Sequence, residues 1–265
     1  MTNDTLKLLN QRVSLRRYAE KPVTQEELDT ILHGAMRAPT AGNMMLYSII
    51  VVEDAAKKQT LSETCDHQPF IATAPLVLVF LTDAQRWHDY YRACDVAAYC
   101  QRTGLDFYKP HLGDFLLGAS DALIAAQNAV IAAESLGIGS CYIGDIMEHY
   151  ETHRELFDLP NHCFPVAMLC LGHYPDDMIR QPRERLPKDS VVFVDTYKQL
   201  DTAALEAAFA QREAALPKPN GLKAANFGQF MYGRKTGAPF FQEMHRSIAA
   251  ALDYWQGGIV DEDKT

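Results

Sequence analysis

The sequence predicts a domain that mixes α-helices with buried β-strands. Three apolar runs rich in β-branched residues, at 47–53, 76–82 and 166–172, have the length and composition of buried strands. Between them, apolar residues recur every three or four positions, which is typical of amphipathic helices. At 265 residues the chain can bury a full core, as one large domain or two small ones.

The amino-terminal segment predicts a short helix over 5–10, with its leucines inward, followed by a basic extended stretch. Arg12, Ser14 and Arg16 alternate there, and residues two apart in an extended segment point the same way. Two guanidinium groups and a hydroxyl would then converge, a combination that binds phosphate monoesters through charge-assisted hydrogen bonds. A solvated basic turn is the alternative that the spacing leaves open.

The next segment has a clear helix start. Thr24 and Glu27 have capping-box spacing, and an apolar stripe continues to Met36. Pro39 ends this helix. A polar loop over 38–43 then leads into the first strand, and a helix over 55–65 follows it.

Residues 83–117 are rich in aromatic residues and interrupted by glycine and proline. We expect a helix and then an irregular segment resembling a lid. A mobile loop over a pocket and ordinary surface packing are both compatible with this composition.

The longest helical signal covers 119–136. It is rich in alanine and apolar nearly all round, which predicts burial on every side. Its small residues make it the candidate for the central helix of a dimer core. Gly137 has the usual position after a helix end, and we interpret 137–144 as a glycine-interrupted loop.

The carboxy-terminal part predicts further helices, a proline-bounded loop and a short edge strand. The helices are expected at 150–157, 203–215 and 241–255, and the edge strand at 191–194. The loop over 180–187 carries a second basic pair, Arg183 and Arg185, again two residues apart.

Composition excludes several classes of protein. Lys and Arg number 25 against 34 Asp and Glu, a net charge of −9 that argues against a nucleic-acid binder. No apolar run approaches the ~20 residues that cross a membrane, and the amino terminus lacks a secretory layout. We therefore expect a cytoplasmic protein. The six cysteines lack paired spacing and are interpreted as reduced thiols, without disulfides or a metal site.

The chain lacks the signatures of serine hydrolases, P-loop enzymes, zinc proteases and dinucleotide-binding folds. What remains is two basic pairs, a polar loop with Thr40 and Asn43, Gln68, and a glycine loop at 142–144. This inventory suits a cofactor with a phosphate at one end and a flat heterocycle at the other.

Several motifs agree in order and spacing with a known family. The motif Arg12-x-Ser14-x-Arg16-x-Tyr18 precedes the run 38–43, the alanine-rich helix into Leu136-Gly137-Ile138-Gly139, and Leu171-Gly172. Together they closely resemble the nitroreductase family of FMN-dependent enzymes. The runs 126–144 and 183–187 are similar to its NADPH-linked oxygen-insensitive nitroreductase and flavin reductase branch. The resemblance covers about residues 5–200.

This resemblance implies an α+β fold, with a nitroreductase-like mixed central sheet wrapped by helices, in an intertwined homodimer. It implies an FMN-binding core over 1–200 and a helical extension over 201–265 that packs on the core or on the partner subunit. FMN would lie at the subunit interface.

The resemblance also implies roles for individual residues. The ribityl phosphate would be held by Arg12, Ser14 and Arg16, joined by Arg183 and Arg185. The ribityl chain or ring edge would meet Thr40, Asn43 and Gln68. The backbone of Tyr142, Ile143 and Gly144 would approach flavin N5.

Three positions depart from the family pattern. Asp145 replaces a second glycine, and an acid near N5 would disfavour the anionic reduced flavin. Val13, within the cofactor-binding segment, stands where many members have Arg. Met45 stands where Gln is common.

The implied mechanism is ping-pong, without a catalytic side chain. NADPH or NADH passes hydride to the flavin and leaves, and a small-molecule acceptor such as a nitroaromatic, a quinone or free flavin takes its place. Candidates for contact with a 2′-phosphate are Lys223, Arg234 and Lys235. Two alternatives are a flavin-holding protein with little turnover, covered by 83–117, and a flavin enzyme of narrower reaction such as dehalogenation or dehydrogenation.

Overall fold

The computed structural model of the protein describes residues 3–257. The helices are α1 (Asp4–Gln11), α2 (Gln25–Met36), α3 (Ala55–Thr64), α4 (Pro69–Ala72), α5 (Gln85–Ala93), α6 (Val96–Thr103), α7 (Leu112–Ser135), α8 (Tyr150–Phe157), α9 (Thr202–Ala214), α10 (Phe227–Met231) and α11 (Pro239–Trp255). The strands are β1 (Tyr47–Val51), β2 (Leu76–Asp83), β3 (Ile138–Ile143) and β4 (Cys163–His173).

The strands form one sheet in the order β1-β2-β4-β3 within residues 3–257. Neighbouring strands are antiparallel, and an isolated parallel bridge joins Ser14 to Ser140 of β3. β1 and β3 are therefore the outer strands of this ladder. The α+β fold class predicted from the resemblance is confirmed.

The two faces of the sheet bury different helices. Leu76, Leu78 and Phe80 of β2 join a core cluster with α7 and α2. The alternating residues of β2 join a second cluster with α3, α4 and the turn Asp145–Met147. β2 and β4 are buried along their whole length, as expected for central strands covered on both faces.

Helix α7 is buried on one side only in the single chain, which corrects the prediction of burial on every side. Its alanines pack inward, whereas leucines and an isoleucine on its outer side are 41–68% exposed, namely Leu116, Leu117, Leu123 and Ile124. By length and composition α7 is apolar enough to span a membrane, and 39% of its apolar stretch is buried inside the protein. A core helix of a globular protein can have the same length and composition.

Tertiary pairing changes several predicted elements. The run interpreted as a glycine-interrupted loop is strand β3, because it pairs with β4 along its length. Helix α7 begins at Leu112, where the backbone N–H of His111 donates to the Asp114 carboxylate. Residues 191–194 form no strand. Leu6 and Leu9 are 41% and 47% exposed, so the inward orientation predicted for them is wrong within one chain.

The chain divides into two compact units. The first runs to Gln181 and resumes at Glu243, and the second is Pro182–Gln242, which contains α9 and α10. The division into a core over 1–200 and an extension over 201–265 stays a prediction, and residues 258–265 of that extension lie outside the described residues.

Candidate functional site

The basic segment 12–16 is held against strand β3 by main-chain contacts. The N–H of Leu15 donates to the carbonyl oxygen of Ser140 at 2.9 Å, beside the Ser14 bridge. Leu15 is fully buried, whereas Ser14 and Arg16 are exposed. The segment is therefore extended, with its alternate residues on the outer side, as the sequence predicted.

Arg12 brings an unsatisfied donor to this edge. Its Nη1 is buried and has no hydrogen-bond partner among the described residues, and the same holds for the Ser140 hydroxyl. Burial raises the pKa of the Cys141 thiol, while Arg16 and Arg12 oppose that rise, so both guanidinium groups act on one point of β3. A buried cationic donor without a partner is costly, and an anionic ligand would satisfy it.

A buried carboxyl group lies beside these guanidinium groups. Glu134 of α7 is 4% exposed and accepts hydrogen bonds from Tyr174 Oη at 2.7 Å and Arg180 Nη1 at 3.4 Å. Burial raises its pKa, and Arg180 and Arg12 lower it again. Two guanidinium groups, those of Arg180 and Arg12, thus act on one carboxyl group, which leaves an excess of positive charge for a phosphate.

Gln68 contacts Asp145, the residue directly after the predicted glycine loop 142–144. Its Nε2 donates to the Cys65 carbonyl oxygen at 2.8 Å and to Asp145 Oδ2 at 2.7 Å. The guanidinium of Arg16 lies 5.8 Å from the ring centre of Phe70, two residues beyond Gln68. Through these contacts the structure brings segment 12–16, Gln68 and the end of β3 together.

The end of β3 offers backbone groups at the outer side of the ladder. Ile143 is 2% exposed and packs into the second core cluster, while Gly144 is exposed. Tyr142 is half-buried, and burial raises its pKa to about 12. Because β3 is an outer strand, the main chain of 142–144 is open to a ligand.

Thr40 and Asn43 occupy a loop at the other end of the ladder. The Thr40 hydroxyl accepts a hydrogen bond from the Met45 N–H at 3.2 Å, and Asn43 is exposed with a φ of +58°. The loop leads into β1, and its main chain bonds to Asp121 of α7. It therefore lies at the opposite strand, and on the α7 face, relative to Gln68.

Arg183 and Arg185 belong to the second compact unit, and both are exposed. With Arg212 and Arg234 they line a cavity of about 970 Å³ whose apolar wall includes Phe227 and Phe230. Their convergence with Arg12 and Arg16 on one phosphate stays a prediction. So does the role of Val13, which is half-buried.

The predicted lid segment 83–117 lines a different cavity, of about 1610 Å³. Its wall includes His88, stacked on Phe107 with ring centres 6.0 Å apart, and charged side chains of both signs. The alternative that this segment covers a cofactor stays a prediction.

Two acidic residues near the site were not recognised as part of it from the sequence. Glu134 and Glu148 are 4% and 2% exposed, and no local pattern marks either as buried. Burial, then the adjacent Asp145, raise the pKa of Glu148 to about 8. In the sequence, only Asp145, an acid in a position where glycine was expected, indicated that acidic residues belong to this part of the site.

The whole chain is similar to known flavin enzymes. The family model described as the nitroreductase family matches residues 9–173. An FMN reductase [NAD(P)H] from Bacillus subtilis is 32% identical over 254 residues, which cover 91% of this chain and 96% of that protein.

Solved structures agree with this match. The structure of NfrA2 from B. megaterium superposes with a TM-score of 0.76 at 30% identity, covering 96% of this chain and 98% of that one. An NADPH:FMN oxidoreductase from Vibrio harveyi, complexed with NAD+, gives a TM-score of 0.74 at 25% identity, with 94% and 98% covered.

Proposed function

Since the chain belongs to the nitroreductase family, we propose that it is an FMN-dependent NAD(P)H oxidoreductase that reduces nitroaromatics, quinones or flavins by ping-pong hydride transfer. The observation that carries this proposal is the buried Nη1 of Arg12, which lacks a hydrogen-bond partner within residues 3–257 and lies beside the bridge between Ser14 and Ser140. A phosphate monoester supplies the acceptor that this donor lacks.

The residues of this chain would hold the cofactor, and FMN would supply the hydride chemistry when bound. Arg12, Ser14 and Arg16 would bind the phosphate, and Arg183 and Arg185 stay predicted as further contacts. Gln68 and the main chain at 142–144 meet the ribityl chain or the ring. No side-chain acid or base is needed for hydride transfer, so none is assigned.

A matched pair of arginines tests the phosphate contact. We expect Arg12→Gln to weaken FMN binding about 10- to 100-fold, because a charged hydrogen bond is removed. Arg17→Gln is the control, since Arg17 is exposed and pairs with Asp177 at 2.8 Å. The measurement is fluorescence titration of the apoprotein with FMN, and equal loss in both variants would contradict the assignment.

Turnover distinguishes an enzyme from a flavin-holding protein. The holoprotein is mixed with NADPH or NADH under nitrogen, and the flavin absorbance is followed. Rapid bleaching, reversed by a quinone or nitroaromatic, is expected. A band that persists with both nucleotides would identify a holding protein, and reoxidation by a narrow set of acceptors a more specialised enzyme. A protein that takes up no FMN would overturn the proposal.

The placement of the predicted contacts supports a homodimer. Thr40 and Asn43 lie at the opposite strand and face from Gln68, so one subunit does not offer them to the same ring. A second subunit that packs on the exposed outer side of α7 would supply them. Leu123→Glu is expected to dissociate the dimer in sedimentation, whereas Leu105→Glu, exposed outside α7, is not.

Nucleotide preference and location are further parts of the proposal. Arg234 of the second unit, with Lys223 and Lys235, is a candidate for the 2′-phosphate of NADPH, and Arg234→Gln would then raise the KM for NADPH but not for NADH. A cytoplasmic location is supported by the packing of the α7 alanines into the protein core, as in a core helix of a globular protein. Cell fractionation tests it.

A further inference from the structure

The orientation of the Gln68 amide is determined by its two neighbours. Nε2 lies 2.8 Å from the Cys65 carbonyl oxygen and 2.7 Å from Asp145 Oδ2. A carbonyl and a carboxylate only accept hydrogen bonds, so the nitrogen must face both of them. Both amide hydrogens are thereby used inside the protein.

The amide oxygen of Gln68 consequently points away from these partners. It accepts no hydrogen bond from residues 3–257, and it is not among their buried polar atoms that lack a partner. The main chain behind it is rigid, because the Gln68 N–H donates to the Ser62 carbonyl at 2.8 Å and the Ser62 hydroxyl donates to the Gln68 carbonyl at 2.9 Å. Gln68 therefore offers a fixed acceptor.

Asp145, the hydrogen-bond partner of Gln68, has a second carboxyl group beside it. Glu148 is 2% exposed, and burial and the adjacent Asp145 raise its pKa to about 8. At neutral pH Glu148 thus retains its proton next to Asp145. Asp145 Oδ2 accepts the hydrogen bond from Gln68 Nε2 at 2.7 Å.

Other groups around Glu148 favour the same arrangement. Asp66, before α4, and Glu243 of α11 are acids that raise the pKa of Glu148 further. His153 of α8 is fully buried, and burial lowers its pKa to about 4, so it is neutral. Burial and the charge of Asp145 raise the pKa of the Cys65 thiol.

We propose that Asp145 is a positioning residue for the cofactor, which holds the Gln68 amide so that its carbonyl oxygen, and not its nitrogen, faces bound FMN. The inference rests on the proposed function and deepens it. Where a small residue at 145 would leave one amide hydrogen of Gln68 free to donate, this chain presents an acceptor alone. It therefore selects a hydroxyl or N–H of the cofactor at this point.

A double-mutant cycle on FMN affinity tests the proposal. We expect Gln68→Met to weaken binding to the apoprotein about three- to tenfold, the range of one neutral hydrogen bond. Asp145→Ala should weaken it to a similar extent and add nothing in the Gln68→Met background. Asp145→Asn can still accept from Gln68 and should retain affinity, although it removes the charge.

The pattern of the cycle decides between positioning and charge. Losses that add in the double variant, or a loss in Asp145→Asn equal to that in Asp145→Ala, would show that Asp145 acts through its charge and would overturn the proposal. So would an Asp145→Ala variant of unchanged affinity.

The side-chain amide signal of Gln68 gives a second readout that needs no cofactor. In the apoprotein, both amide hydrogens of Gln68 should be protected from exchange with solvent, and Asp145→Ala should expose one of them. An unmodified protein that does not bind FMN would count against the proposed function alone. Unprotected Gln68 hydrogens there would count against the inference alone.

Discussion

The two outer strands of the ladder are reached by segments that are held in different ways. Segment 12–16 lies against β3 through a main-chain hydrogen bond and a bridge at Ser140. The loop 40–46 before β1 makes one main-chain hydrogen bond to β2, from the Asp83 N–H to the Leu46 carbonyl oxygen at 3.0 Å, and is otherwise held by side chains. Asp121 accepts from two of its N–H groups, and Trp87 donates to the Met44 carbonyl at 2.7 Å.

The predicted cofactor contacts beside the two outer strands also differ in exposure. At β3, Arg12 Nη1 and the Ser140 hydroxyl are buried and lack a hydrogen-bond partner within residues 3–257. A ligand bound within the subunit would satisfy them. At β1, Asn43 is exposed on a loop already satisfied by α5 and α7. A half-site whose groups project outward suits completion by a second subunit.

The largest effect is expected at the close contact between α7 and the loop. A Cβ at Gly118 would lie 2.6 Å from the Leu46 carbonyl oxygen and would also meet the Thr82 hydroxyl. Gly118→Ala should cost about 3 kcal/mol or more in urea unfolding. The control is Gly113→Ala on the same helix, which has nothing within 4 Å and should gain about 0.5–1 kcal/mol. Equal stabilities would show that the contact can relax.

The β3 side should show a stability that depends on pH through Glu148. The folded pKa is about 8 against an ordinary 4.5, so the unfolded chain loses this proton first as the pH rises. Stability from this group therefore falls between about pH 4.5 and 8 and is constant below and above. At pH 9, Glu148→Gln should be more stable than the native protein by on the order of 3 kcal/mol.

At pH 4 the same variant should match the native protein, because the carboxyl group is protonated in both states. Glu155→Gln, an exposed acid on α8, serves as the control. The measurement is the urea midpoint at each pH, and a difference that does not grow with pH would contradict the burial of a protonated Glu148.

Removal of one acceptor should loosen the β1 side specifically. Asp121 is 3% exposed and accepts from the Ala41 N–H at 3.1 Å and the Leu46 N–H at 3.3 Å, one on each carboxylate oxygen. Asp121→Asn turns one acceptor into a donor and should cost about 2–3 kcal/mol. Hydrogen exchange should accelerate at residues 41 and 46 but not at Leu15. Asp29→Asn, exposed on α2, is the control.

The smallest effect is expected from the indole contact. Trp87→Phe removes the donor to the Met44 carbonyl and should cost about 1 kcal/mol, the value of one neutral hydrogen bond. Thermal unfolding measures it. A loss as large as that of Asp121→Asn would mean that α5 holds the loop as strongly as α7 does.

Local sequence alone was sufficient for the elements that depend on nearby residues. The Thr24–Glu27 capping box begins α2 as predicted, because both of its hydrogen bonds lie within one turn. Strands β2 and β4 and the extended segment 12–16 follow from composition and alternation. The order of the motifs was sufficient to recognise the family.

Only the tertiary structure decided the elements that depend on distant partners. The run 138–143 contains Gly139 and has a weak strand signal, and it becomes β3 because β4 offers a ladder that its backbone must satisfy. The apolar helix α7 has an exposed side because the sheet covers only one of its faces. The hydrogen bond between Gln68 and Asp145 joins residues 77 positions apart, a distance over which periodicity and propensity carry no information. Burial and pairing depend on what the rest of the chain brings into contact, so the chemistry of this site was visible only in the fold.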